Sequence, residues 1–404
     1  MAEIVTKESP FTPGRPVPIE YFVARIKEIE RLERAIKQTS SGRNENIFIT
    51  GERGIGKSSL AGFVRYLAEK KNFIGSHCFL GGVRDLEGMI RVIFQRILQQ
   101  ITDKSLFDRL KQIFSKYIKR ITLFDIEVEF TKDSSELRTL LDNFLPVLRK
   151  IHETVKDVKQ GIILILDDLN GITDVPEFSQ FLKSFVDELA TSNNSLPLLL
   201  ILVGIPERRD DLIKHQPSVA RIFDIVDLPP MSKDESTQFF KIMFDKQGIS
   251  IDQEAISLMI ELSGGFPMLM HEVGDAVFWV NTDNRIDGKD AVGGILEAAK
   301  NVGKKYLDPQ IYRAIGSETY RTILRKISEL PLGTTFQRKK ILEKITNDER
   351  KTFDNFLQRI KKLGIICETE QRGEYRFINQ LYHLYVGLEA FGAKKEKKHP
   401  NRTS

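Results

Sequence analysis

The sequence predicts an α/β fold: a parallel sheet with helices packed around it over residues 21–231, followed by two smaller, mainly helical units. Three observations lead there. Short apolar runs with almost no polar break, Ile47-Phe48-Ile49, residues 162–166 and residues 198–203, read as strands buried on both faces. Segments with apolar residues at helical spacing separate them, the alternation that builds parallel sheets. After Ser232 no such run recurs.

Taken in order, residues 1–20 are rich in Pro and Gly and predict an extended N-terminal arm. A helix is expected over 25–38, with Ile26, Ile29, Leu32 and Ile36 on one face. The first strand follows, then a glycine loop, then a helix over 57–69 carrying Leu60, Phe63, Val64 and Leu67. Residues 76–81 read as a second buried strand, 86–101 and 106–118 as amphipathic helices, and 126–130 as a half-exposed strand. Residues 135–156 read as helix, kinked or broken at Pro146 because proline has no N–H to donate. A central strand over 162–166 ends in Asp167-Asp168; a helix over 178–189, the strand 198–203 and a short strand 224–228 complete the sheet. Residues 232–308 predict a helical bundle interrupted by Ser-Gly-Gly-Phe-Pro at 263–267. Residues 309–392 predict helices, one of them over 335–345 with Thr334 as its cap, then two short strands. A basic disordered tail is expected over 393–404.

Composition narrows the class. The chain has 404 residues, 41% hydrophobic and 29% charged, as expected for a globular protein of two or three domains. No apolar run approaches the roughly 20 residues a membrane span needs. Two distant cysteines, Cys78 and Cys367, lie in apolar surroundings and read as buried thiols in a reducing, cytoplasmic compartment. Six scattered histidines give no metal-ligand spacing. Net charge is +5, but residues 321–362 alone carry +7 and the tail from Ala393 another +4. Basic character therefore gathers at the C-terminal end, where it could attract nucleic acid or an acidic partner.

The loop Gly51-Glu52-Arg53-Gly54-Ile55-Gly56-Lys57-Ser58-Ser59 fills every fixed position of the phosphate-binding motif GxxxxGK[ST], between a strand and a helix as the motif requires. Glycines let backbone N–H groups close around phosphate, and the helix N-terminus adds its positive dipole end. Lys57 would reach the β- and γ-phosphates of ATP, and the Ser58 hydroxyl would bind Mg²⁺. Asp167, at the carboxyl end of its strand, would hold the same Mg²⁺ through water. Asp168 would orient or polarise the attacking water. An aspartate reaches one methylene less far than the glutamate common at that position, so slow turnover is expected. Arg208, beside Arg209, and Arg221 are candidates for the positive charge that phosphoryl transfer needs, as sensor or finger.

These elements in this order resemble the AAA+ class of P-loop ATPases, and within it the STAND branch with its archaeal-type and origin-recognition relatives. Residues 13–36 are similar to the adenine-covering segment, with Phe22, Arg25, Glu28, Ile29 and Leu32 matching and Ala24 where glycine is usual. The resemblance implies that Val23 contacts the base. It also implies that residues 232–308 form a helical lid in which Pro267, in Gly-Gly-Phe-Pro, approaches adenine where typical members use a sensor arginine. The C-terminal unit, helix-turn-helix and hairpin, resembles a winged helix. DNA contact would then fall to Arg350, Lys351, Arg359, Lys361 and Lys362 on the helix over 348–363 and to Arg372 at the hairpin turn.

Three functional readings stay open at this point. The first is an ATP-dependent switch that forms a homo-oligomer with ATP bound and acts on double-stranded DNA or on an effector protein in trans. The second is a DNA-binding initiator, loader or transposition regulator controlled by ATP. The third is a signalling or defence adaptor without a nucleic-acid role.

Overall fold

The computed structural model describes residues 8–101, 103–115, 118–122, 127–130, 132–192, 196–312 and 317–398. The chain divides into two compact units, Pro16–Pro229 and the remainder, which joins the arm up to Arg15 to everything from Pro230.

The first unit is built on five parallel strands: β1 (Glu45–Gly51), β2 (Ile74–Phe79), β3 (Ile162–Asp167), β4 (Leu198–Val203) and β5 (Asp224–Leu228), in the order β2-β3-β4-β1-β5. Both apolar runs, β3 and β4, are buried along their whole length, as a sheet covered on both faces demands. The connection leaving β1 runs one way along the sheet and those leaving β2, β3 and β4 run the other. A crevice therefore opens at the carboxyl ends of the strands beside β1. Register fixes what meets there. Phe79, Asp167, Val203 and Ile49 form one row across β2, β3, β4 and β1. Helices α1 (Ile26–Ser40), α2 (Lys57–Lys70) and α3 (Leu86–Gln99) cover the sheet with apolar faces, including fully buried Leu32, Leu60 and Phe94.

Between α3 and β3 the sequence-based expectations need revision. The helix expected over 106–118 runs from Lys104 to Ile113, and Ile118–Thr122 is instead a strand paired antiparallel with Glu127–Phe130. Pairing with the strand that follows outweighs local helical spacing. The helix expected over 135–156 is two helices, Ser134–Asp142 and Phe144–Val155, broken at Asn143. Pro146 lies in the first turn of the second helix, where a missing N–H costs nothing.

In the second unit, helices Lys233–Asp245, Gln253–Ser263, Pro267–Val280 and Gly288–Val302 form the expected bundle. Ser232 with Glu235, and Asp287 with Asp290, close capping boxes at two of their starts. Gly264 and Gly265 both have positive φ, and a Cβ on Gly265 would lie 2.4 Å from the Met231 carbonyl oxygen. The arm is not a free extension over its described residues. Phe11 is 4% exposed and packs edge-on against Phe244 and tilted against Phe239 and Phe240. Gly274 makes the room, since a Cβ there would lie 2.2 Å from the Phe11 ring. The Thr12 N–H donates to His271 Nδ1 at 3.1 Å; burial pushes His271 down to about 4, so the imidazole is a neutral acceptor.

Further along, helices Glu318–Ser328, Arg338–Lys344 and Asn347–Lys362 pack with a three-stranded sheet in which Glu374–Phe377 lies between Phe336–Gln337 and Ile366–Glu368. Phe353, Phe356, Ile360 and Phe377 form its core. Thr334 does not cap a helix: its hydroxyl donates to the Pro331 carbonyl within a turn, and Phe336–Gln337 are drawn into the sheet before the helix begins. Cys78 is buried as expected, whereas Cys367 is half-exposed. The last helix runs from Gln380 through Lys398, so the first part of the expected disordered tail is helical; residues 399–404 lie outside the described residues. No helix among the described residues is long and apolar enough to cross a membrane.

Truncating Phe11 to alanine should destabilise the second unit by about 3–5 kcal/mol, the cost of emptying an aromatic site in a packed core. Trp279, the single tryptophan, sits on the helix that carries Gly274 and reports the shift as a lower urea midpoint in fluorescence.

Candidate nucleotide-binding site

The glycine loop begins at Gly51, two residues past Ile49, which shares a row with Asp167, and three of its residues take backbone angles that only glycine adopts freely. Gly51, Gly54 and Gly56 have φ of +144°, +78° and +97°. Gly51 also has no space for a side chain, with the Leu228 carbonyl oxygen 2.8 Å from where a Cβ would stand. Ile55 is buried and anchors the loop from below. Lys57 opens α2, and its ammonium donates to the carbonyls of Gly51 and Glu52, both at 2.8 Å, so the side chain folds back over the loop.

Burial lowers the Lys57 pKa to about 8, and Arg53 adds to the shift; Asp167, Glu207 and Glu52 oppose it. A partly buried ammonium with a guanidinium close by, at the N-terminus of α2, suits a polyanion.

Asp167 is 3% exposed, and both of its oxygens are engaged. Oδ2 lies 2.9 Å from His77 Nε2 on β2, and Oδ1 accepts the Asp168 N–H at 2.7 Å. A carboxylate has about four acceptor positions, so two remain for a metal-bound water. Ser58 and His77 line a common cavity of about 260 Å³. Among the described residues no group of three or more His, Cys, Asp or Glu is arranged to hold a metal by itself. One hydroxyl and one carboxylate beside a phosphate cradle suit Mg²⁺, which keeps several waters and takes the rest of its shell from phosphate oxygens. Ser58 and Asp167 fit that role.

Asp168 is exposed, with φ at +55°. Its Oδ1 accepts from Asn170 Nδ2, and its Oδ2 lies where a Cβ on Gly81 would stand, 2.0 Å away. Arg84 covers the next turn, donating to the Asn170 carbonyl at 2.8 Å, directly over Gly171. Gly81, Arg84 and Asn170 were not singled out by sequence reasoning; only the meeting of two strand ends makes them neighbours.

A second bracing arrangement holds the loop from the N-terminal side. Ala24 and Arg25 both have positive φ, which explains why the resemblance leads one to expect glycine at 24. The turn aims the buried Arg25 guanidinium at the Ile55 carbonyl of the loop, at 3.2 Å, and at the Pro229 carbonyl just past β5, at 2.6 Å. Phe22 stacks on Phe63 of α2 at 4.8 Å, and the Val17 N–H donates to Ser59 Oγ at 3.3 Å. Val23 follows within this segment, which runs along α2.

The other sequence-derived candidates are placed as follows. Arg208 pairs with Asp174 at 3.1 Å and Asp211 at 3.0 Å, while its neighbour Glu207 acts on Lys57. Arg221 is exposed on the short helix Val219–Ile222. Pro267 belongs to the second unit, where it opens its helix and is buried. Of the basic C-terminal residues, Lys351 pairs with Asp348, Lys361 with Glu368, and Arg350 donates to the Leu342 carbonyl. Arg359, Lys362 and Arg372 are exposed.

A five-stranded parallel sheet with this loop at the end of β1 and a buried aspartate at the end of β3 is the core of a P-loop AAA+ ATPase. Residues 21–201 match the sequence model of the AAA ATPase domain. An uncharacterized HTH-type transcriptional regulator of Methanocaldococcus jannaschii is 23% identical over 279 residues, which are 66% of this chain and 66% of that protein. The fold is similar to that of the Walker-type ATPase of Pyrococcus abyssi, with a TM-score of 0.53 at 20% identity, covering 94% of this chain and 98% of the other. It is also similar to the ORC2 protein of Aeropyrum pernix in its ADPNP-ADP complexes, with a TM-score of 0.55 at 14% identity, covering 96% and 97%.

The Lys57 shift sets a pH dependence. Phosphate binds the protonated ammonium, and the free site loses that proton as pH rises through about 8. Nucleotide affinity should therefore be constant below about pH 7.5 and fall above pH 8, by up to about tenfold per pH unit, with proton uptake on binding. Calorimetry in buffers of different ionisation enthalpy measures both, and Lys57→Met should lose the pH dependence along with most of the affinity. A second expectation concerns Gly81: Gly81→Ala should push the Asp168 carboxylate out of place and lower ATP turnover as much as Asp168→Asn does, with ATP affinity within about twofold of wild type.

Proposed function

We propose that this AAA-type ATPase is an ATP-binding, slowly hydrolysing molecular switch whose nucleotide state governs its self-assembly and the action of its C-terminal unit. The observation that carries this reading is the cradle: Gly51, Gly54 and Gly56 at positive φ, Lys57 folded over the loop, and a buried Asp167 in the strand row of Ile49. Slow turnover is supported by Asp168, whose short side chain is already engaged by Asn170. In this reading Lys57 neutralises phosphate charge, Ser58 and Asp167 hold Mg²⁺, and Asp168 orients water. Arg208 or Arg221 supplies further positive charge, and Val23 contacts adenine.

A second observation favours DNA as a ligand. Three helices and a three-stranded sheet at the C-terminal end have the element order of a winged helix, with Asn347–Lys362 as the helix that would enter the major groove. Lys351, Asn355, Gln358 and Lys362 recur at helical spacing on its exposed side. The name of the M. jannaschii relative as an HTH-type regulator agrees with this, and the similarity to ORC2 agrees with an initiator-like role. We read the arrangement as a duplex-binding surface with Arg372 at the hairpin turn.

Light scattering after size exclusion should give a larger assembly with a non-hydrolysable ATP analogue than with ADP, and Lys57→Ala should abolish the difference. Duplex DNA should bind at low salt with an affinity that falls steeply as salt rises. Reversing charge at Arg359, Lys362 and Arg372 should weaken it at least tenfold. No DNA affinity at low salt, with assembly intact, favours the adaptor reading instead.

A further inference from the structure

We propose that His77 is a positioning residue for the nucleotide-bound metal ion: it holds the Asp167 carboxylate in a single rotamer at the end of β3. This rests on the reading that Ser58 and Asp167 hold Mg²⁺ beside ATP, and it adds a residue from the neighbouring strand to that site.

The argument starts from register. β2 and β3 run parallel with Phe79 opposite Asp167 and His77 opposite Ile165. His77 is thus one alternation back from the end of its strand, and its ring reaches forward along the sheet to the carboxylate. The bond, His77 Nε2 to Asp167 Oδ2 at 2.9 Å, joins two side chains that are 8% and 4% exposed. A hydrogen bond this well shielded from water fixes a side chain far more firmly than an exposed one. Phe79 fixes the imidazole in turn, stacking on it at 4.4 Å and 30°. The Asp168 N–H takes the other carboxylate oxygen at 2.7 Å, so Asp167 is held at both ends and cannot rotate. Ser58 lines the same cavity as His77 and Phe79, so the residue with the second candidate ligand group borders the cavity that the histidine borders.

A carboxylate that meets Mg²⁺ through water has to be aimed, because the ion accepts little departure from octahedral geometry. Groups that orient a metal ligand typically contribute 10–100-fold to metal affinity. An alternative role for His77, filling space on the edge strand, makes a different prediction, and side-chain shape separates the two. Glutamine places an amide N–H near the position of Nε2, whereas asparagine reaches only as far as Nδ1.

The test uses Mn²⁺ as the probe with the full-length protein and ATP. ATP affinity is measured in EDTA, and Mn²⁺ affinity of the ATP-loaded protein is followed by electron paramagnetic resonance. His77→Asn and His77→Ala should weaken Mn²⁺ binding at least tenfold while ATP affinity in EDTA stays within about twofold of wild type. His77→Gln should restore Mn²⁺ affinity to within about threefold. Equal Mn²⁺ affinities for the Gln and Asn variants, or for Asn and wild type, overturn the proposal. Absence of ATP binding by the wild-type protein overturns the underlying nucleotide reading instead. Circular dichroism melts of the Gln and Asn variants, which differ by one methylene, separate loss of the bond from loss of the fold.

Discussion

The register of five parallel strands is the constraint on which the rest of the site depends. Phe79, Asp167, Val203 and Ile49 share one row, so the loop that follows β1, the carboxylate that ends β3 and the histidine near the end of β2 arrive at one edge of the sheet. A slip of a single residue in β3 would turn Asp167 to the opposite face and carry its neighbour into its place. What pins the register is apolar: β3 and β4 are buried throughout, and any slip would leave large side chains without their packing partners.

On that frame the chain concentrates backbone conformations that side chains resist. Gly51, Gly54 and Gly56 in the loop, Ala24 and Arg25 before α1, and Asp168 after β3 all have positive φ. For the non-glycine positions this costs about 1–2 kcal/mol each, and the surrounding bonds must hold them. Arg25 illustrates how. Its strained backbone aims a buried guanidinium at two carbonyls, one in the phosphate loop and one past β5, so strain in one segment gives rigidity in two others. Asp168 follows the same logic, with its position guaranteed by the missing side chain of Gly81.

The second unit is governed by aromatic packing and by charge pairing. Phe11, reached from the start of the chain, sits among Phe239, Phe240 and Phe244, so the bundle includes a segment distant in sequence. In the C-terminal part the positive charge is smaller in effect than in count. Lys351 and Lys361 have carboxylate partners on the same surface, whereas Arg359, Lys362 and Arg372 are exposed. Exposed pairs of this kind contribute little to stability, so their main consequence is electrostatic.

The phosphate loop, the strands of the sheet and Asp167 were legible in the sequence because each is a local pattern. Glycine positions, a Lys-Ser pair and runs of apolar residues follow from the geometry of a few neighbouring residues. The strand Ile118–Thr122 and the start of the helix at Arg338 were not legible, and the break expected at Pro146 falls at Asn143, because strand pairing and packing decided these positions against local preference. The same holds for the bracing of the site. His77 meets Asp167 across 90 residues, Gly81 meets Asp168 across the gap between two strand ends, and Arg25 meets Pro229 across almost the whole core. Sequence alone thus determined that a nucleotide loop and its aspartate exist, since those are properties of short segments. Only the tertiary structure decided which side chains hold them in place, since those contacts are created by strand order and register, which no short segment encodes.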